Sequence, residues 1–193
     1  MSKIGITSDA TGAEEIVGGS DKRFNTSARS DGRGYYNSRD KSESYSLTFD
    51  DANATANDYV VYLKNTRTDG KHIVLRSVGL NCEAASSSFK LSLVTGTAGG
   101  GATATPVNLN QAGVARQSGS TSLATADSGV TPMSGLTESK CFDHTGISGA
   151  YGHGEFRLQD QVRIGQGQAI AIELEYAAAA DVRCFGVIFY YFE

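Results

Sequence analysis

Only three cysteines, two prolines and no tryptophan occur in these 193 residues, and no charge excess of basic sign. Each scarcity removes a class of protein. Cys82, Cys141 and Cys184 are odd in number and widely spaced, whereas a secreted disulfide framework has an even count at short spacing. Cys82 and Cys184 sit in apolar runs, so the expectation is reduced thiols acting as small hydrophobes. A formal charge of -4 argues against a general nucleic-acid binder, which needs a basic face. No stretch approaches the roughly 20 apolar residues of a membrane helix. Residues 1–10 lack the cationic start and apolar core of a secretory signal, so synthesis in the cytoplasm without export is expected.

Glycine, at 23 residues, is plentiful, and Ser, Thr and Ala crowd the spaces between short apolar runs. No run of helical period is long enough to build a bundle, and no internal repeat is visible. The recurring pattern has period two, as in a strand with one buried face. Tyr45, Leu47 and Phe49 alternate with small polar residues, and Tyr59, Val61 and Leu63 begin a second strand. A third is expected over 72–82, joined to the second by a hairpin at Asp69-Gly70. Further strands are expected at 89–93, 106–110, 138–142 and 155–158, the last reaching toward 164. Residues 111–135 should be long loops with one short strand. A flexible glycine-rich loop is expected over 96–104, and another over 146–154. Ile170, Ile172, Leu174 and Tyr176 share one face of a strand that turns at 177–181 into a last strand over 183–192. Roughly eight strands with long connections imply an all-β, antiparallel β-sandwich of jelly-roll type.

Residues 1–44 carry few large apolar side chains and cannot offset their own ordering entropy. They are expected to be a polar arm or tail, with Phe24, Tyr35 and Tyr36 as its contact residues, preceding a single sandwich domain over 45–193. The last strand is apolar on both faces. Val182, Cys184, Ile188, Tyr190 and Phe192 fall on one side, and Phe185, Val187, Phe189 and Tyr191 on the other. A strand apolar on both faces needs cover on both. A second copy of the chain is the expected cover, making Phe185, Val187, Phe189 and Tyr191 an oligomer interface.

Cys141-x-x-His144 has ligand spacing for zinc, with His153 nearby and Cys184 able to complete a set. A lone C-x-x-H arises easily by chance, so no metal and no cofactor are expected. Asp50, Asp51, Asn53, Asn57 and Asp58 offer oxygens for calcium, but their spacing is that of a turn rather than an EF-hand loop. Gly146-Ile147-Ser148-Gly149 misses the nucleophile-elbow spacing by one position. The glycines of 96–101 lack the Lys-Ser/Thr ending of a phosphate-binding loop. Asn25 and Asn53 open glycosylation tripeptides that are incidental without export. Sugar binding keeps Tyr35, Tyr36 and Tyr151 as available rings, although tryptophan is missing.

One stretch carries a resemblance. Tyr62-Leu63-Lys64-Asn65-Thr66, then His72-Ile73-Val74-Leu75-Arg76-Ser77-Val78-Gly79-Leu80, precede Leu93-Val94-Thr95-Gly96-Thr97 and Thr105-Pro106-Val107-Asn108-Leu109-Asn110. Over about residues 59–110 this series resembles tailed-bacteriophage virion proteins, capsid decoration (cement) proteins in particular. The resemblance implies a non-enzymatic jelly-roll subunit, commonly trimeric, made in the host cytoplasm and mounted on the outer capsid surface of the virion. Its partners would be its own copies and the major capsid protein. The other reading within that class is a tail-fibre or receptor-binding module recognising a host glycan.

Overall fold

The computed structural model describes residues 43–110, 132–158 and 160–193 in full, and the backbone of 5–7, 14–16 and 120–124. The chain divides into two units, Met1–Asp31 and Gly32–Glu193. In the first, β1 (Gly5–Thr7) pairs antiparallel with β2 (Glu14–Ile16), Gly5 standing opposite Ile16. The remainder of the expected arm, including Phe24, Tyr35 and Tyr36, lies outside the described residues.

The second unit is all β, with no helix among the described residues. Its strands are β3 (Ser44–Ala54), β4 (Asp58–Asn65), β5 (Ile73–Cys82), β6 (Ser86–Gly99), β7 (Ala102–Thr103), β8 (Val107–Asn108) and β9 (Ser120–Ala124). After these come β10 (Ser134–Ser148), β11 (Gly152–Phe156), β12 (Val162–Ile164), β13 (Ala169–Ala177) and β14 (Val182–Phe192). One sheet has the order β11-β5-β14-β3-β8, with β12 also on β5; the other runs β10-β6-β13-β4-β9-β7. All of these pairings are antiparallel.

The two sheets pack face to face. Leu47 and Phe49 of β3, Leu75 and Leu80 of β5 and Ile188 of β14 meet Leu63 of β4, Phe89 and Leu91 of β6 and Ile170 and Ile172 of β13 in one buried cluster. Tyr45, Tyr190 and Phe192 close one end, Tyr45 stacked on Tyr190 at 5.5 Å and edge-on to Phe192 at 5.9 Å. Such ring pairs add about 1 kcal/mol each beyond the area they bury. Taking β3, β4, β5, β6, β10, β11 with β12, β13 and β14 as first to eighth, one sheet reads sixth-third-eighth-first. The other reads fifth-fourth-seventh-second. Apart from β6 to β10, every consecutive pair changes sheet. The architecture is the expected antiparallel sandwich, and its strand order is consistent with a jelly roll.

Several local expectations need correction. The Asp69-Gly70 turn does not make a hairpin, because β4 and β5 belong to opposite sheets. Gly70 does supply the left-handed turn, at φ 79°. The connection is held by side chains instead: Asn65 Nδ2 donates to the Lys71 and Ile164 carbonyls at 2.9 and 3.0 Å. Lys71 Nζ donates to the buried Glu43 carboxylate at 2.6 Å, and Arg67 bonds Asp69. Tyr176 does not join Ile170, Ile172 and Leu174. Register slips between Leu174 and Tyr176 against β6, and Tyr176 is left 52% exposed. Neither glycine-rich segment is simply a loop. β6 runs through to Gly99, and β10 reaches Ser148, with a tight turn before β11 begins at Gly152.

Candidate functional site

The central strand β14 divides its side chains as the alternation requires. Val182, Cys184, Ile188, Tyr190 and Phe192 enter the core, while Phe185, Val187 and Phe189 are half-buried on the outer side of the sheet and Tyr191 is buried. The first two line one groove, and Phe189 and Tyr191 line a second of about 340 Å³ with Arg76, Ser77 and Leu109.

The larger groove, about 670 Å³, has Phe185 and Val187 in its lining with Thr48 and Asp50 of β3, Asn81 of β5 and His153 of β11. Ala102–Thr105 forms a further wall. Two glycines, Gly79 and Gly186, belong to its lining. A Cβ on Gly79 would stand in ordinary contact with the His153 ring at 3.4 Å and Val187 at 3.8 Å, so this position has room for a methyl group. A Cβ on Gly186 would stand 2.2 Å from the Gly79 carbonyl oxygen and 2.7 Å from the Phe49 ring. Only glycine fits there. At the edge, Arg183 Nε donates to Asp50 at 2.9 Å and its guanidinium stands 5.5 Å from the Phe185 ring centre. The Asp50 hydrogen bond raises the Arg183 pKa further, so this positive charge is permanent. Arg183 and Asp50 are both exposed, and their pairing is a positioning contact rather than a source of stability. The arrangement is an apolar strip with polar groups at its margins, suited to contact with another surface or a small polar ligand.

The residues considered for metal are not brought together as a set. Cys184 lies in the core beside Cys82, its register partner, with the sulfurs 3.5 Å apart. The hydrogen bond that Cys184 donates to Cys82, and then burial, push its thiol well above the ordinary range. Cys141 is exposed on β10, in the other sheet, and reaches only His144 of that group. No cluster of three or more metal-ligating side chains occurs among the described residues. His144 is on β10, and His153, within the loop expected over 146–154, is on β11.

The acidic group at 50–58 behaves as turn chemistry. Asp51 Oδ1 accepts from the Asn53 amide at 3.0 Å, and Asp58 Oδ2 accepts from the Thr55 amide and hydroxyl at 2.8 and 2.6 Å. Asn57 takes the left-handed conformation at φ 73°. Of the glycosylation tripeptides, Asn53 is exposed near the end of β3, and Asn25 lies outside the described residues.

Two features escaped sequence reading: the wall formed by Ala102–Thr105, and the close approach of Gly186 to the Gly79 carbonyl beneath the groove. Isolated glycines inside apolar strands were the available signal, since they mark close backbone approach. Comparison with protein-family models, curated proteins and solved structures found no match.

Proposed function

We propose that this chain is a non-enzymatic assembly module, and more specifically a capsid decoration (cement) protein of a tailed bacteriophage. It would be a jelly-roll homotrimer that stabilises the outer shell by bridging neighbouring capsid subunits. The observation that carries the assembly reading is the half-covered row Phe185, Val187 and Phe189 on a central strand. Apolar groups in the middle of a sheet face gain by being covered, at about 25 cal/mol per Å² removed from water. The sheet order supports the jelly-roll part of the reading. The phage assignment rests on the resemblance over residues 59–110, whose segments fall on β4, β5, β6 and the edge strand β8.

In this reading β14 faces a second copy, and the shell contact falls to the N-terminal segment with Phe24, Tyr35 and Tyr36. Many weak attachments suffice, because linked copies raise one another's effective concentration. A second reading, a receptor-binding module for a host glycan, is favoured by the polar margin of the larger groove, where Asp50, Asn81 and His153 surround Phe185.

Light scattering on the full chain after size exclusion tests the assembly. The expected mass is three times that of one chain, and Val187→Glu or Phe189→Glu should reduce it to one. A monodisperse monomer at high concentration contradicts the reading. Binding on a glycan array that Asp50→Ala and Asn81→Ala both abolish would move the assignment to the second.

A further inference from the structure

Remote from the β14 face, two irregularities in the other sheet converge on one thiol. Antiparallel partners share a sheet face, and Ser92 and Lys90 of β6 both point away from the core, opposite in sense to Leu91. Their partners on β10 are Cys141 and His144, three positions apart, because a register shift between Cys141 and Asp143 spends one extra residue. That bulge puts Cys141 and His144 on the same face, where regular pleating would put them on opposite ones. On the other side of β6, the shift between Leu174 and Tyr176 leaves Glu175 as the extra residue of β13. The β10 bulge re-aims His144 toward Cys141, and Glu175 stands on that same outer face.

The result is a relay. Cys141 Sγ lies 3.1 Å from His144 Nε2, and His144 Nδ1 lies 3.3 Å from Glu175 Oε2. The Ser88 hydroxyl donates to that same Glu175 oxygen at 3.3 Å. A carboxylate at Nδ1 favours the tautomer with its proton there, which leaves Nε2 as an acceptor for the thiol hydrogen. The Asp143 carbonyl, at 3.7 Å, is the more distant acceptor. Opposite Cys141 stands Ser92, which is 1% exposed and close to the Glu138 carboxylate. Nearby charges are Lys90, bonded to Glu138 at 2.7 Å and Glu173 at 3.1 Å, together with Lys140 and Asp143 on β10.

We propose that Cys141, His144 and Glu175 form a reactive thiol site that small disulfides modify by thiol–disulfide exchange. His144 Nε2 accepts the thiol proton as Cys141 sulfur attacks one sulfur of the disulfide. A new S–S bond to Cys141 forms while the original S–S bond breaks. The departing thiolate takes the proton from His144, releasing one free thiol, and no further oxidant enters. Glu175 is a positioning residue that holds the imidazole for this transfer. The site is independent of the assembly reading, since it lies in the other sheet.

Oxidised glutathione with the folded full chain is the probe, followed by intact mass and peptide mapping. One adduct is expected, on Cys141, while Cys82 and Cys184 stay protected by burial. At pH 7, His144→Ala should slow the reaction roughly tenfold, less than the ~100-fold that a positioned base supplies in an enclosed site. Glu175→Gln should slow it by a smaller factor, and Cys141→Ser should abolish it. The variants alter exposed positions, and an unchanged unfolding midpoint verifies their fold. The pH–rate profile gives a readout that packing would not move: the wild-type rate should exceed that of His144→Ala most at neutral pH and converge with it at alkaline pH. Equal rates for wild type and His144→Ala, coincident profiles, or an adduct elsewhere would overturn the proposal.

Discussion

Gly186 illustrates how much a single residue can decide here. Its missing Cβ lets β14 approach β5 and gives the Phe49 ring its place, and the nearest obstacle to any side chain is backbone. Gly186→Ala should therefore destabilise the fold by about 3 kcal/mol, the upper end for forced overpacking, measured by urea unfolding. A titration at Asp69 is the other test at this scale. The hydrogen bond from Arg67 holds its carboxyl down at about 2, below the ordinary carboxylate value. A carboxylate whose folded pKa is depressed contributes stability above its unfolded pKa, near ~3.9, and loses it as pH falls through the folded value. The window is thus roughly pH 4 down to 2. Carboxyl-carbon NMR should show Asp69 titrating near 2 in the native chain and returning toward ~4 in Arg67→Ala. An unchanged titration in the variant would contradict this pairing.

At the scale of elements, the outcome turned on whether a local pattern carried tertiary information. Period-two alternation located β3, β4, β5, β13 and β14, because each buries one face against the opposite sheet and the pattern records that burial directly. The two faces of β14 were legible for the same reason. Asp69-Gly70 was misread because a turn signal reports a reversal of the chain and says nothing about which sheet receives the next strand. Bulges were invisible as well. An extra residue in β13 leaves the apolar sequence Leu174 to Tyr176 looking regular, yet it puts Leu174 in the core and Tyr176 in water. Leu174→Ala should cost about 3 kcal/mol, whereas Tyr176→Ser should stay within about 0.5 kcal/mol. Equal losses at the two positions would show that the alternation continues unbroken. The same kind of slip in β10 brings His144 to Cys141, so the C-x-x-H spacing was readable while its partner Glu175 was not. The glycine content around 146–154 likewise suggested a loop, although edge strands tolerate glycine where bulges and tight turns bend them.

For the molecule as a whole, the sandwich leaves a strip of its central strand half-covered, the strip proposed above to face further copies of the chain. Sequence alone could anticipate this face because β14 is apolar on both sides. It could not anticipate the groove, whose wall comes from residues far away along the chain. The phage reading is carried by the resemblance over residues 59–110. Cryo-electron microscopy of purified particles from the source tests it most directly. Density for this chain is expected on the outer shell, repeated at the seams between capsid subunits, with β14 turned toward a neighbouring copy. Density confined to the tail tip, or no copy of the chain on any particle, would contradict it.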